Sequence, residues 1–308
     1  MSKSVIAIDM GGTMIKIGIV KEDMILSSTS ISADSRNGLR QRLPYIEQTV
    51  KDLLAQQGLS SKDIAGLGIA SPGIIDSKQK KILSIDKKFG DAPDIDLEEW
   101  CRQTFELPFC IENDARAALL GEWKYGNAKD MDNVVLMSLG TGVGSAAVIE
   151  GELLKGKHFT AGILGGHFVI NYKGTVCNCG NKGCVETEAS TWKLNSHSDN
   201  TDVELSLSDY KTVFQLAEEG DSAALAIRDQ SLDVWAACAI NLIHAYDPEI
   251  LILTGGIMGS GSHIIPYIRK QTEQHAWTPW GKVKVEAAAF PSSAALYGMS
   301  YLVKSQNK

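Results

Sequence analysis

A chain of 308 residues has room for two medium-sized domains, because single hydrophobic cores stop growing near ~250–300 residues. Its composition, 44% hydrophobic and 22% charged with 29 glycines and 8 prolines, is that of an ordinary globular protein. A formal net charge of -7 supplies no electrostatic footprint for nucleic acid or an anionic membrane, yet leaves room for phosphate held by a local nest of backbone N–H groups.

The opening MSKSVIAID lacks the basic region, apolar run and small-residue cleavage site of an export signal. No apolar stretch approaches the ~18 residues of a membrane helix. The apolar, β-branched runs Val5–Ile8, Ile17–Val20 and Ile64–Ala70 predict strands, and the spacing from Leu39 to Leu54 predicts a helix that stops at Gly58. Pro108–Ile111 predicts a further strand, followed by the helical pattern DARAALLGEWKYG. Strands alternating with helices indicate an α/β architecture. Residues 194–210 are polar and predict a surface excursion. From Asp221 to Tyr246 a stripe of Leu232, Trp235, Ala236, Ala239, Ile240 and Ile243 predicts a core helix. Glu249–Thr254 predicts a strand running into Gly255-Gly256.

One internal repeat stands out. VIAIDMGGTMIKIGIV (Val5–Val20) resembles VVLMSLGTGVGSAAVI (Val134–Ile149), 129 residues later, Val5 to Val134. Each is an apolar strand, a Gly/Thr-rich turn and a second apolar strand. Two unrelated hairpins would give the same pattern. A duplicated domain would instead offer one glycine hairpin from each half to a shared ligand across a cleft. Glycines let backbone N–H groups approach a bulky anion, and Thr13 adds a hydroxyl beside Gly11 and Gly12. Asp9 before the turn would repel phosphate unless a cation lay between them, so it suggests Mg²⁺ held directly or through water. Gly140 to Gly144, containing Thr141 and Gly142, repeats the turn without the acid. Neither turn is a Walker A loop or a dinucleotide fingerprint.

Asn113-Asp114 stands where a strand meets a helix, a place that favours both residue types as N-caps. The functional alternative is a general base, with Asp114 accepting the proton of an attacking hydroxyl and Asn113 orienting the alcohol. In GGHFVINYKGTVCNCGNKGCVE, His167, Cys177, Cys179 and Cys184 give one imidazole and three thiolates, which suits a closed, structural Zn²⁺ site. Three cysteines within eight positions also point to a reducing compartment, and the cytoplasm is expected. Cys101, Cys110 and Cys238 are isolated in apolar surroundings and read as core.

Taken in order, IAIDMGGTMIKIGIV, GLGIASPGIID, CIENDARAALLGE, LGTGVG, the His167–Glu186 segment and NLIHAYDPEILILTGGI resemble the ROK family of bacterial sugar kinases and repressors. The resemblance implies a duplicated ribonuclease-H-like, actin/hexokinase-type fold of two domains with a central cleft. The domains would be 1–117 plus 291–308, and 118–290 with the zinc knuckle. It implies an ATP-dependent, glucokinase-like kinase of a hexose or an N-acylated amino sugar. Phosphate and Mg²⁺ contacts fall to Asp9, Gly11, Gly12, Thr13, Lys16, Thr141 and Gly142, with Gly255 and Gly256 near the nucleoside. Gly73, Asn113, His167 and Glu186 would bind sugar hydroxyls, Asp114 would be the base, and His167 would serve zinc and sugar through different nitrogens. A homodimer is expected by analogy, without nucleic acid or membrane. The first strand begins at Val5 and leaves no room for a repressor's helix-turn-helix, which favours the kinase branch over a catalytically weak sugar-binding regulator.

Three departures from the family pattern are visible. Where kinases carry a glutamate three residues before the zinc-binding histidine, this chain has Leu164, or Ile163 if one residue is inserted. Asp86 replaces an asparagine of the sugar-facing loop, and FPSSAALYG lacks an acidic or amide residue. These changes predict an altered sugar preference with phosphate handling intact.

Overall fold

The computed structural model describes residues 3–86, 88–197 and 208–306. Most of the polar segment expected over 194–210 lies outside the described residues. Among the described residues, no helix is long and apolar enough to cross a membrane.

The chain divides into two compact units, one of Met1–Lys129, Lys155–Thr160 and Ser292–Lys308, the other of Asp130–Leu154 and Ala161–Pro291. The first unit opens with the meander β1 (Ser4–Met10), β2 (Met14–Lys21) and β3 (Met24–Ser32). Helix α1 (Leu43–Gln56) leads to β4 (Ile64–Ser71), followed by the small hairpin β5 (Ile74–Asp76) and β6 (Lys81–Ser84). Helix α2 (Leu97–Phe105), β7 (Phe109–Asn113) and α3 (Asp114–Tyr125) follow. The main sheet has the order β3-β2-β1-β4-β7, with β1, β4 and β7 parallel.

Local sequence explains these elements. β1 is covered on both faces, so it reads as an unbroken apolar run and not as an alternation. Helix α1 buries Leu43, Ile46, Val50 and Leu53, one stripe at three- and four-residue spacing. It starts four residues after Leu39 because Pro44, which lacks an N–H to give, sits in the first turn. The helix ends at Gln56, two residues before Gly58, which adopts positive φ. On the other face of the sheet, the carboxyl-terminal helix Ala294–Gln306 packs Met299 and Val303 against Gly68, where no side chain intervenes. Helix α3 belongs wholly to this unit. A domain division at 117/118 would cut through it, and the compact unit instead runs to Lys129.

The second unit repeats the plan. It contains β8 (Val134–Leu139), β9 (Val143–Ile149) and β10 (Glu152–Leu153), then the short helices α4 (Val185–Glu188) and α5 (Thr191–His197). Helices α6 (Tyr210–Glu218) and α7 (Ser222–Tyr246) precede β11 (Ile250–Thr254), α8 (Gly261–His275) and β12 (Lys284–Ala287). The carboxyl-terminal helix of the first unit is then α9. The sheet order is β10-β9-β8-β11-β12, with β8, β11 and β12 parallel. That matches the first sheet strand for strand, so the repeated sequences are the leading hairpins of duplicated domains. In α7 the expected stripe is core apart from Ile240, which is half-buried: Trp235 is fully buried and its indole N–H donates to Ala189 O at 2.9 Å. Replacing so large a buried group with alanine costs about 3–5 kcal/mol.

Candidate active site

In the first unit, the residues singled out in sequence gather at one edge of the sheet. Asp9 pairs with Ala70, and Ser71 with Asn113, so the carboxyl ends of β1, β4 and β7 stand side by side. Ligands of open α/β sheets bind at that edge. Gly11, Gly12 and Thr13 make the turn from β1 to β2, and Lys16 lies directly across from Asp9 in register. The Lys16 ammonium donates to the carbonyl of Ser292. Gly73 follows β4 with φ 95°, and a side chain there would strike Ser84 O, so only glycine fits.

Asn113 does cap α3, accepting the Arg116 N–H at 3.2 Å. The same side chain also donates through Nδ2 to Gly73 O and to Asp114 Oδ1, both at 3.0 Å. Asp114 Oδ1 accepts the Ala115 N–H at 2.8 Å as well. The cap and the site are therefore one network. Burial raises the Asp114 carboxyl above its ordinary range, against the Ala115 N–H, the Lys88 charge and the Asn113 amide, which oppose the rise. Burial also pushes Asp9 up to about 6, with the Asp114 charge adding to the effect and Lys16 opposing it. Two carboxylates near enough for one to feel the other's charge, in a partly desolvated place, are suited to proton acceptance and to holding a cation.

Beneath this edge lies a cluster that nothing in the linear pattern announces. Glu112 and Arg116 are both fully buried. Glu112 Oε1 accepts the Asn113 N–H at 3.0 Å and lies 3.4 Å from Arg116 Nη1, while Lys155 Nζ stands 2.7 Å from Oε2. Arg116 Nη2 donates to Phe159 O at 3.2 Å, and Lys155 donates to Ser77 Oγ at 2.8 Å. Segment Lys155–Thr160 thereby belongs to the first unit although its flanking residues belong to the second.

In the second unit, the turn from β8 to β9 carries Gly140, Thr141 and Gly142. Thr141 O accepts the Trp192 N–H at 3.0 Å, and Gly140 O accepts the Thr191 N–H at 3.1 Å. Glu186, at the start of α4, lays its carboxylate against Gly142 and accepts the Val143 N–H at 3.0 Å. Gly255, with φ 99°, packs against Leu139 O, which brings Gly255-Gly256 beside the same turn. These residues again occupy the carboxyl ends of parallel strands, β8 and β11.

The ligand atoms of His167, Cys177, Cys179 and Cys184 lie within 4.8 Å of one another. Bond lengths of about 2.3 Å for Zn–S and 2.0–2.1 Å for Zn–N imply tetrahedral edges of about 3.8 Å between sulfurs and about 3.5 Å from nitrogen to sulfur. Cys179 and Cys184 sulfurs are 3.7 Å apart, and Cys177 Sγ is 3.5 Å from His167 Nδ1. The set fits a four-coordinate zinc. The remaining thiols, Cys101, Cys110 and Cys238, are buried and pushed up to about 12 by that burial, as inert core groups are. Leu164 opens the turn that carries His167; its carbonyl accepts the His167 N–H at 2.9 Å and the residue is 40% exposed, whereas Ile163 is buried. Of the two positions, Leu164 is the exposed one and Ile163 the buried one.

The ROK family model matches residues 5–306. A glucokinase of Thermotoga maritima is 31% identical over 97% of this chain and 96% of its own. A xylose repressor of Bacillus subtilis is 28% identical over 82% of this chain and 65% of its own. Among solved structures, a ROK family glucokinase from Streptomyces griseus in complex with glucose and AMPPNP superposes with TM-score 0.78 at 27% identity, covering 98% of this chain and 99% of that one. The two matching sheets are those of the actin-like ATPase two-domain fold.

Proposed function

The chain belongs to the ROK family, and on that premise we propose that it is an ATP-dependent sugar kinase with Asp114 as general base. One observation carries the reading: a half-buried aspartate, held through one oxygen by Asn113 and Ala115, beside a glycine turn and a second carboxylate at the ligand-binding edge of its sheet. The similarity to glucokinases over the whole chain supports the reaction class.

The roles follow from the chemistry of each group. Asn113 and Glu186 would hold sugar hydroxyls, with Gly73 and the second imidazole nitrogen of His167 completing the ring contacts. The hydroxyl oxygen attacks the γ-phosphorus of ATP, its proton passes to Asp114, and the bond to the β–γ bridging oxygen breaks to release ADP. N–H groups of Gly11, Gly12 and Thr13, and of Thr141 and Gly142, would receive phosphate oxygens, while Lys16 balances Asp9. Gly255 and Gly256 would flank the nucleoside. Asp9 would hold Mg²⁺, which supplies positive charge to the phosphates. Zinc on His167, Cys177, Cys179 and Cys184 would be structural, since four protein ligands leave no open position.

Leu164 bears on the sugar. Losing a charge-assisted hydrogen bond costs roughly 1.5–3 kcal/mol, about 10- to 150-fold in binding. Glucose should therefore be used less well than another hexose or an N-acylated amino sugar. A regulator that binds sugar without turnover is the second reading, favoured by Leu164 and by the similarity to a xylose repressor. A sugar panel coupled to ADP formation tests both: sugar-dependent ADP production supports the kinase, and its absence the regulator. Glucose with the highest kcat/KM would refute the role given to Leu164. Asp114→Asn should lower kcat by about 100- to 10,000-fold with little change in sugar KM.

A further inference from the structure

Lys88, two residues beyond Asp86, is a side chain that none of these roles uses. Its neighbour Phe89 is fully buried with φ 47°, and the Phe89 N–H donates to Ser35 O at 2.7 Å. Ser35 Oγ in turn donates to Gly12 O at 2.8 Å. Asp91, two residues further on, accepts the N–H groups of Leu39 and Arg40 at 2.5 and 3.0 Å. The loop is thus tied to the Gly11–Gly12 turn through Ser35 and clamped again at Asp91. These ties deliver one half-buried side chain onto the turn. A methyl group on Gly12 would lie 2.6 Å from Lys88 Cε and 2.9 Å from its Nζ.

The electrostatics of this edge call for such a group. Asp9 and Asp114 are two acids converging where an anion is to be bound, and each unit of negative charge there opposes the phosphates. The Lys16 ammonium is engaged with the Ser292 carbonyl. The Lys88 charge reaches Asp114 and favours its ionised form. We propose that Lys88 is a phosphoryl-contacting catalytic residue: its ammonium, laid across Gly12 on the side of Asp114, neutralises the group being transferred from ATP to the sugar. The inference rests on the kinase reading. As the bond from the γ-phosphorus to the bridging oxygen breaks and the new bond to the sugar oxygen forms, negative charge spreads over the equatorial oxygens, and a fixed cation there is worth more in the transition state than in the ground state.

The test uses the full chain with Mg²⁺, ATP and the best sugar of the panel. Lys88→Met should lower kcat about 100-fold, with sugar KM and melting temperature nearly unchanged. Lys88→Arg, which keeps the charge, should recover about tenfold of that loss. Binding of ADP with aluminium fluoride, a mimic of the transferring phosphoryl group, should weaken about 100-fold in Lys88→Met while ADP alone binds as before. An active wild-type enzyme whose Lys88→Met variant keeps kcat within about twofold overturns this inference and leaves the kinase reading standing. A wild-type chain that forms no ADP with any sugar removes both.

Discussion

The two units share a sheet order and a glycine hairpin but secure their working residues by different means. The first fixes Asn113 and Asp114 from below with buried charge, Glu112 against Arg116 and Lys155. The second fixes His167 and Glu186 from the side with a four-ligand knuckle whose last cysteine, Cys184, is the N-cap of the helix bearing Glu186. The hairpins differ in the same way. A cation lies on Gly12, and a carboxylate lies on Gly142. Duplication preserved the backbone frame, and the side chains set against the two turns differ in charge.

Metal removal should break the comparison most severely. Structural zinc contributes about 10–16 kcal/mol in small zinc-finger peptides, so Cys184→Ala or strong chelation should unfold the knuckle and open residues 165–190 to proteolysis. The first unit's sheet should stay protected in hydrogen exchange. Metal analysis should find about one zinc per chain, and zinc-free protein with undiminished stability would refute the assignment.

The buried charges come next. Arg116→Met leaves Glu112 with half its compensation and should cost about 3–5 kcal/mol, or roughly 6–20 °C in melting temperature. Adding Glu112→Gln should restore part of the loss. A single variant as stable as the wild type would show that Lys155 alone suffices.

Glycine substitutions sharpen the contrast between the turns. Gly142→Ala displaces the Glu186 carboxylate from the Val143 N–H and should raise sugar KM about tenfold, the value of one charged hydrogen bond. Gly12→Ala meets only the flexible end of Lys88 and should lower kcat with sugar KM unaltered. Equal effects of the two on sugar KM would contradict the different parts given to Lys88 and Glu186.

The smallest effect is electrostatic. Asp9 has its carboxyl raised from the ordinary 3.8 to about 6 in the folded chain, so between those values the native state binds more protons than the unfolded one. Stability of metal-free protein should then fall as pH rises through that window. Asp9→Asn should flatten this dependence, with the size reduced by partial exposure. Melting curves at pH 4 and pH 7 (about three units apart, spanning the shift) check the sign.

Much was legible from residues alone because it is local. Strands, the two hairpins, the core helix Ser222–Tyr246 and the His–Cys–Cys–Cys spacing are written in period and punctuation, while the repeat left open two unrelated hairpins or one plan used twice until the matching sheets decided it. Hydrophobic periodicity and close-set ligands act over a few residues, so the linear chain carries them. Tertiary structure alone decided which distant groups meet. It brought Lys155 to Glu112, set Lys88 on Gly12, turned Leu164 outward and Ile163 inward, and let Asn113 cap its helix while bonding Gly73 and Asp114. Charge and close approach depend on distance in space, and for these pairs that distance has no counterpart in sequence separation.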